Sequence, residues 1–548
     1  MGVALLLVSM TGTVHPQSES SVDGARGGIP AGFELDNYVR YLQAIGRVPL
    51  GAWGLRPFSA PDVDSLTKPT GPHPWARSWM FARGKIRHFA LLPITATASY
   101  KSAFQLGGND GAVWSGRGLT TSLQGGIAAA WGPVTLVLQP VAFRAENQGF
   151  ALQPNGLTGH GAFANADFPN NIDLPQRFGN APYSRVDPGQ STLRVDILGM
   201  TAGFSTANQY WGPATVFPVI LGNNAAGIPH AFFGTQHPTN IGIGRVQARV
   251  VYGLESQSAF SPVTGPDTFT TVAQPGRKRF MSGLVTTFSP GAIPGLELGA
   301  ARFFHQAWAG RITSSELQSP FEGILKSSIS PGYVIPGSDN KDALKNQLAS
   351  LFGRWVLPES GFELYAEYGH EDHNADLRDL ESEPDHSRLA MVGFRKVFQR
   401  SPQAFSALRF EYIDGSNVAL ARHRGEGSAY IHSVLKQGHT QLGQLLGANV
   451  GAGSPAGANL SWETYSASGR TTWYVQRVVQ NNESTLLTYG NASTAADLLL
   501  ATIGYEQRRF GRIADLTYAA AVTEGKRGMN LGRETNISAT VTVTTHLP

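Results

Sequence analysis

Two hydrophobic periods divide the chain. Between Phe33 and Val48, the apolar residues Leu35, Tyr38, Val39, Leu42 and Ile45 recur at spacings of three and four. That spacing gathers them into one stripe along a helix, and Gly46 is placed to stop it. A second, shorter helix is expected with Ser59 as N-cap, Pro61 in its first turn, and Val63 and Leu66 on one face. Pro69, Pro72 and Pro74 then break the chain. Residues 30–75 therefore read as a small helical element outside the body that follows.

From about Met80 the period becomes two. Val246, Ala248, Val250, Tyr252 and Leu254 alternate with Arg245, Gln247, Arg249 and Glu255. Leu193, Val195 and Ile197 alternate with Arg194 and Asp196; Leu364, Ala366 and Tyr368 alternate with Glu363 and Glu367; Leu408, Phe410 and Tyr412 alternate with Arg409 and Glu411. Near the end, Ile537, Ala539, Val541 and Val543 alternate with Ser538, Thr540, Thr542 and Thr544. Segments of ~10 residues with one apolar and one polar face, separated by turns, are the pattern of transmembrane barrel strands. A half-buried sheet in a soluble sandwich also alternates, but it would bury these charges unpaired at high cost. Aromatic residues near strand ends (Phe405 and Tyr412, Trp462 and Tyr465, Phe510 and Tyr518) are expected to form interfacial girdles.

The reading is therefore an all-β, antiparallel transmembrane barrel of about 16–18 strands with a small N-terminal periplasmic helical element. Residues 1–29 are expected to be a signal or disordered leader, on the strength of the short apolar run Val3–Met10. The barrel is expected to occupy 76–548, with long Gly/Pro/Asn-rich loops at about 145–190, 207–242, 261–278, 305–346 and 415–458. Loops of that length are uncommon unless functional. In this phase Arg194, Asp196, Arg249, Glu363, Glu367, Arg409 and Glu411 face the lumen, because a charge on the lipid face costs ~2–4 kcal/mol near the midplane for Arg.

Composition narrows the class. Of 548 residues, 41% are hydrophobic and only 15% charged, against roughly 25% charged in soluble domains. No apolar run reaches the ~20 residues of a spanning helix, and the mean hydropathy is −0.14. The absence of cysteine excludes disulfides, thiolate metal sites and cysteine nucleophiles. Forty-three basic residues against 39 acidic make a mixed surface rather than a nucleic-acid-binding one. The mild basic excess would suit acidic glycans or lipid phosphates.

The densest chemical signal lies between Ile172 and Gly244. It holds Arg177, the run Tyr210-Trp211-Gly212-Pro213, then Leu221-Gly222-Asn223-Asn224-Ala225 and His230. Flat aromatic faces suit sugar C–H surfaces, and Asn, Arg and His give directional hydrogen bonds. Arg177, Trp211, Asn223, Asn224 and His230 are accordingly candidate polysaccharide-binding residues. The alternative is a loop folded into the barrel with its aromatics filling the lumen, and one residue can do both.

These segments resemble the capsule assembly Wzi family of outer-membrane proteins. The similarity rests on Trp211-Gly212-Pro213 with Asn223-Asn224, and on the preceding helix with Leu42, Gly46 and Pro49. It extends to Glu363-Leu364-Tyr365-Ala366-Glu367-Tyr368, which leads to Glu371-Asp372, and to Gly438-His439-Thr440 through Gly443. The resemblance implies an approximately 18-stranded barrel with a periplasmic helical element and a pore obstructed by loops. It further implies a lectin that holds capsular polysaccharide at the cell surface.

Enzyme signals are weak. Gly369-His370-Glu371-Asp372-His373 lacks the His-Glu-x-x-His spacing of a helical zinc site and reads more simply as a solvated loop. Neither a Gly-x-Ser-x-Gly elbow nor a phosphate-cradling Gly-rich loop is present. Asp414-Gly415-Ser416-Asn417 is a hairpin turn in composition. The expected function is a non-catalytic polysaccharide binder assisting capsule assembly or attachment in the bacterial outer membrane, with no cofactor and no metal. Its expected partners are surface polysaccharide, outer-membrane lipid and lipopolysaccharide, and the barrel assembly machinery, with no nucleic acid. The alternative is a porin-like channel for small sugars or carboxylates whose charged lumen sets selectivity; a barrel enzyme acting on lipid or glycan comes third.

Overall fold

The computed structural model describes residues 21–22, 28–59, 62, 71–75, 80–81, 89–264, 276–322, 345–371, 381, 387–416, 429–432, 434–480, 498–527 and 532–545. These form a closed antiparallel barrel of 18 strands, sealed where the last strand, Arg533–Thr545, pairs with the first, Ala90–Lys101. Closure leaves no sheet edge, so every ladder group finds a partner without water.

Three of the strands are each broken in two, and each break holds a proline. Val134–Leu138 resumes as Val141–Ala145 after Pro140, Tyr183–Asp187 as Thr192–Ile197 after Pro188, and His230–Thr235 as Thr239–Asn240 after Pro238. Proline has no N–H for the ladder, so pairing stops and restarts around it. These interruptions mimic loops in the sequence. The long connections accordingly span 146–182 and 206–229 rather than 145–190 and 207–242.

The alternation sorts side chains as the charge argument requires. Leu364, Tyr368, Val392, Leu460, Val475, Ile503, Val541 and Val543 are exposed on the outer belt. Trp131, Trp355, Trp462 and Trp473 are exposed with them, nearer the short-turn end. A closed barrel with an apolar outer belt is an outer-membrane architecture. Phe405 and Tyr465, expected in a girdle, are instead buried and stack on each other inside the barrel with ring centroids 4.6 Å apart. Both occupy inward positions of their strands, beneath the N-terminal helix.

That helix, Glu34–Ala44, is shorter than the 33–48 pattern and ends where Gly46 adopts φ +66°, a left-handed conformation that suits glycine. It does not lie outside the barrel. It sits within the end closed by the short turns, the periplasmic end by the usual asymmetry of these folds, and Leu35 to Ala44 are all buried. Its apolar side packs with Trp53, Trp75, Val356, Val397 and Phe405, and Tyr38 stacks on Trp75 at 3.9 Å. Its polar side docks on inward-facing wall residues: Tyr41 donates to Glu463 at 2.9 Å, and Asn37 accepts from Arg395 at 2.5 Å. An amphipathic pattern names the face that avoids water; here the other face meets lumen charges instead.

The folded N-terminal element starts at or before Ile29, which is buried and bridges to Phe58, so the expected leader boundary at 29 falls inside it. Ser59 N and Oγ both donate to Asp62 Oδ2, at 2.9 and 2.6 Å, in a local cap. Pro61, Val63 and Leu66 of the expected second helix lie outside the described residues, as do residues 1–20, Asp372, His373 and Asn417.

Candidate functional site

The lumen is filled unevenly. Segments 206–229 and 434–455 fold inward, and Phe217, Val219, Ile220, Leu221, Leu445, Leu446 and Val450 pack against Val251, Met281, Val285, Phe303 and Ile413 of the wall. Inward carboxylates of the wall hold the backbone of segment 206–229 and of the stretch that follows the N-terminal helix. Glu411 accepts from the N–H groups of Thr215, Val216 and Phe217 at 2.7, 2.7 and 3.1 Å, and from Tyr365 Oη at 2.8 Å. Glu297 accepts from Trp53 N and Gly54 N, both at 2.7 Å. Arg56 donates to the carbonyls of Gly212 and Ala214 at 2.9 Å each and pairs with Asp36 at 3.0 Å.

Opposite the plugs a cavity of about 920 Å3 remains. It runs along the wall made by strands 456–545 and 90–131, from Glu34 at the short-turn end to Trp114 and Gln105 near the long loops. Its wall is hydroxyl-rich. Thr97 and Thr542 stand 3.0 Å apart, Ser99 and Thr540 3.0 Å, and Thr502 and Thr523 2.9 Å. Each hydroxyl both donates and accepts, so a pair satisfied across two strands keeps capacity for a ligand.

The seven charged residues read from alternation all carry inward-directed side chains, and each is engaged. Arg194 pairs with Asp196 at 2.6 Å and Arg409 with Glu463 at 3.5 Å. Arg249 donates to Gln209 at 3.2 Å. Glu363 meets Arg40 and Arg354, Glu367 accepts from Ser350 at 2.7 Å, and Glu411 holds the plug. Glu411 and Arg249 seat segment 206–229 and Glu363 seats the helix, whereas Arg194, Asp196 and Arg409 pair within the wall, Arg409 beside the cavity.

The five candidate polysaccharide residues do not converge. Trp211 is 0% exposed; it pairs with Leu55 in a short ladder and its ring packs edge-on against Phe303 at 6.2 Å. A ring with no exposed face cannot stack on a sugar, so of its two expected roles the structure gives it the packing one. His230 is likewise buried, with Nδ1 2.6 Å from the carbonyl of Ile228. Arg177 lies in the 146–182 loop, bonded to Asn180 and 5.2 Å from the ring of Phe163. Only Asn223 and Asn224 line the cavity. Their amides donate to the carbonyls of Asn109 and Leu445, at 3.1 and 3.0 Å, which fixes the upper rim. Sequence reasoning missed Thr97, Ser99, Gln476 and Thr502, though the run Ser538, Thr540, Thr542, Thr544 carried the signal.

Other sequence fragments are absorbed by the scaffold. Glu371 accepts from Asn346 at 3.2 Å and from Tyr430 N, and Asp414 pairs with Arg388 at 3.1 Å.

The fold and its plugged lumen define a class: an outer-membrane β-barrel whose interior is occupied by its own chain. No family model and no curated protein matches the sequence. Among solved structures the chain is similar to Wzi, an outer-membrane protein involved in group 1 capsule assembly in Escherichia coli and a carbohydrate-binding β-barrel. The TM-score is 0.61 at 16% identity, covering 95% of this chain and 99% of that one. OccAB3 of Acinetobacter baumannii aligns with a TM-score of 0.39 at 9% identity, over 83% of this chain and 98% of its own. OprD of Pseudomonas aeruginosa aligns with 0.38 at 9%, over 85% and 95%.

Proposed function

We propose that this chain is a non-catalytic carbohydrate-binding barrel of the outer membrane that holds surface polysaccharide, capsular or exopolysaccharide, and so assists its assembly or attachment. The observation that carries the reading is the lumen: a hydroxyl- and amide-lined cavity beside plugs that occupy the rest of the bore. Such a lining offers many neutral hydrogen bonds. The fold shared with Wzi, itself carbohydrate-binding, supports the same reading. Outer-membrane lipid and lipopolysaccharide would contact the apolar belt, and the barrel assembly machinery would insert it.

The test is retention of polysaccharide. A strain lacking the protein should shed surface polysaccharide into the medium, and the purified folded barrel should bind that polysaccharide directly. Unchanged retention together with no binding removes the reading. One observation favours a diffusion channel as second reading: the cavity extends over most of the barrel height.

A further inference from the structure

We propose that the cavity takes a segment of uncharged polyhydroxylated chain, lying along the wall, and rejects chains that carry carboxylates. This rests on the carbohydrate-binding reading and specifies its ligand.

Charge is the first argument. Among the described residues lining the cavity, carboxylates outnumber cations six to three. Each of the three cations already has a carboxylate neighbour. Arg470 pairs with Glu34 at 3.1 Å and also with Glu506, Arg409 with Glu463 at 3.5 Å, and Lys101 Nζ and Asp110 Oδ2 crowd the same side of Gly107. An incoming uronate would therefore lose its water without gaining a free cation, since the nearby cations, including Arg185 and Arg508 behind the lining, are already paired with carboxylates. The overall basic excess of the chain lies elsewhere.

The lining is the second argument. Thr97, Ser99, Ser122, Gln476, Thr502 and Thr540 present short neutral donors and acceptors, the complement of a polyol rather than of a lipid tail. Tyr474 adds an apolar face. It stands opposite Gly504 on the neighbouring strand, and its ring covers that glycine so closely that an added Cβ would lie 2.2 Å from Cζ. Only a residue without a side chain lets the ring lie against the wall, where its outer face lines the cavity and suits the C–H face of a sugar. Size is the third. At about 920 Å3 the space lies at the upper end of the ~300–1,000 Å3 typical of small-molecule sites, enough for several linked sugar units.

The experiment uses the full-length barrel in detergent, its fold checked by heat-modifiable gel mobility. The probes are the intact surface polysaccharide of the producing cells and two hexamers of equal length, maltohexaose and hexagalacturonate. Maltohexaose should bind at least tenfold more tightly than hexagalacturonate. Thr540→Trp and Gln476→Trp, which fill the space from different strands, should each weaken maltohexaose binding at least tenfold. Ser122→Lys, which supplies an unpaired cation, should strengthen hexagalacturonate binding by a similar factor, and it keeps the test open should the tryptophan variants not fold. The inference is overturned if hexagalacturonate binds as well as maltohexaose. It is equally overturned if neither hexamer binds while the intact polysaccharide does, if a folded tryptophan variant keeps full binding, or if Ser122→Lys changes nothing. Failure of the intact polysaccharide to bind the unaltered barrel overturns the carbohydrate reading itself.

Discussion

Arg40 of the N-terminal helix and Glu363 of the barrel wall, 323 residues apart in sequence, meet through a 2.6 Å hydrogen bond from Nε to Oε1 with both side chains fully buried. Arg354 and Arg395 approach the same carboxylate at 3.2 and 3.8 Å. Glu363 thus faces three cations, of which Arg354 also reaches Glu297 at 3.8 Å, and the helix is held in the lumen through that cluster.

The asymmetry makes a prediction. Removing one partner of a buried pair costs about 3–5 kcal/mol because the other charge is stranded. Glu363→Ala takes the paired carboxylate from Arg40 and weakens the balance at Arg354 and Arg395, and should cost at least that. Arg40→Ala leaves Glu363 with two other cations and should cost less. Urea unfolding of the two variants in detergent reads the difference; equal losses would show that the cluster does not work through Glu363.

A second prediction concerns pH. The Tyr38 hydroxyl shares a 2.6 Å hydrogen bond with Nδ1 of His73. Burial, helped by the nearby charge of Arg47, holds the His73 pKa down at about 4, against ~6.5 in an unfolded chain. Below pH 6.5 the unfolded segment takes up a proton that the docked one refuses, so docking is stable at neutral pH and weakens as pH falls toward 4. The urea midpoint should drop over that window by more in the unaltered protein than in His73→Phe. Parallel profiles for the two would rule His73 out.

How much of this was legible in sequence depends on what alternation encodes. The phase of Gly244–Glu255 and Phe362–Glu371 could be read because lipid demands apolar side chains at every outward position. The helix Glu34–Ala44 was legible but its destination was not, since Asn37, Arg40 and Gln43 look like a water-facing stripe until their partners on distant strands are known. Phe405 and Tyr465 misled for the same reason: an aromatic near a strand end serves a girdle or a core according to phase. The Trp211 and Asn223-Asn224 region stood out in sequence as unusual loop chemistry, yet burial is a tertiary property. Inward polar positions that face a plug, such as Glu411, and those that face open space, such as Thr540, are alike in sequence.

Trp211 itself supplies the third prediction. Trp211→Ala should cost about 3–5 kcal/mol through the void it leaves, and polysaccharide retention should fall because the plug loosens. Gly283 of the wall tests this from the other side, since a Cβ there would lie 2.5 Å from Cη2 of Trp211. Gly283→Ala should displace the ring and lower both stability and retention, whereas Trp211→Phe should restore most of each. If Trp211→Ala abolishes retention at unchanged stability, the ring contacts glycan and the packing role is wrong.

The last prediction separates a holder of polysaccharide from a channel. Both readings share the barrel and the cavity; they differ in what the plugs are for. Arg56 is the clamp that joins segment 206–229 to the N-terminal helix, bonding two carbonyls of the segment while pairing with Asp36, its guanidinium 4.0 Å from the Tyr210 ring centroid. Arg56→Ala strands a buried carboxylate and frees two buried carbonyls, so segment 206–229 and the helix should loosen together. For a holder, the unaltered barrel conducts weakly in a planar bilayer, and Arg56→Ala raises conductance severalfold while lowering polysaccharide retention. For a channel, the unaltered barrel already conducts steadily through the cavity, and Thr540→Trp blocks that current. Steady current blocked by Thr540→Trp, with retention untouched, would establish the channel. Weak current that rises only when Arg56 is removed means the chain fills its own bore in order to present a polar wall, because a barrel selected for flux gains nothing from carboxylates committed to holding loops across its path.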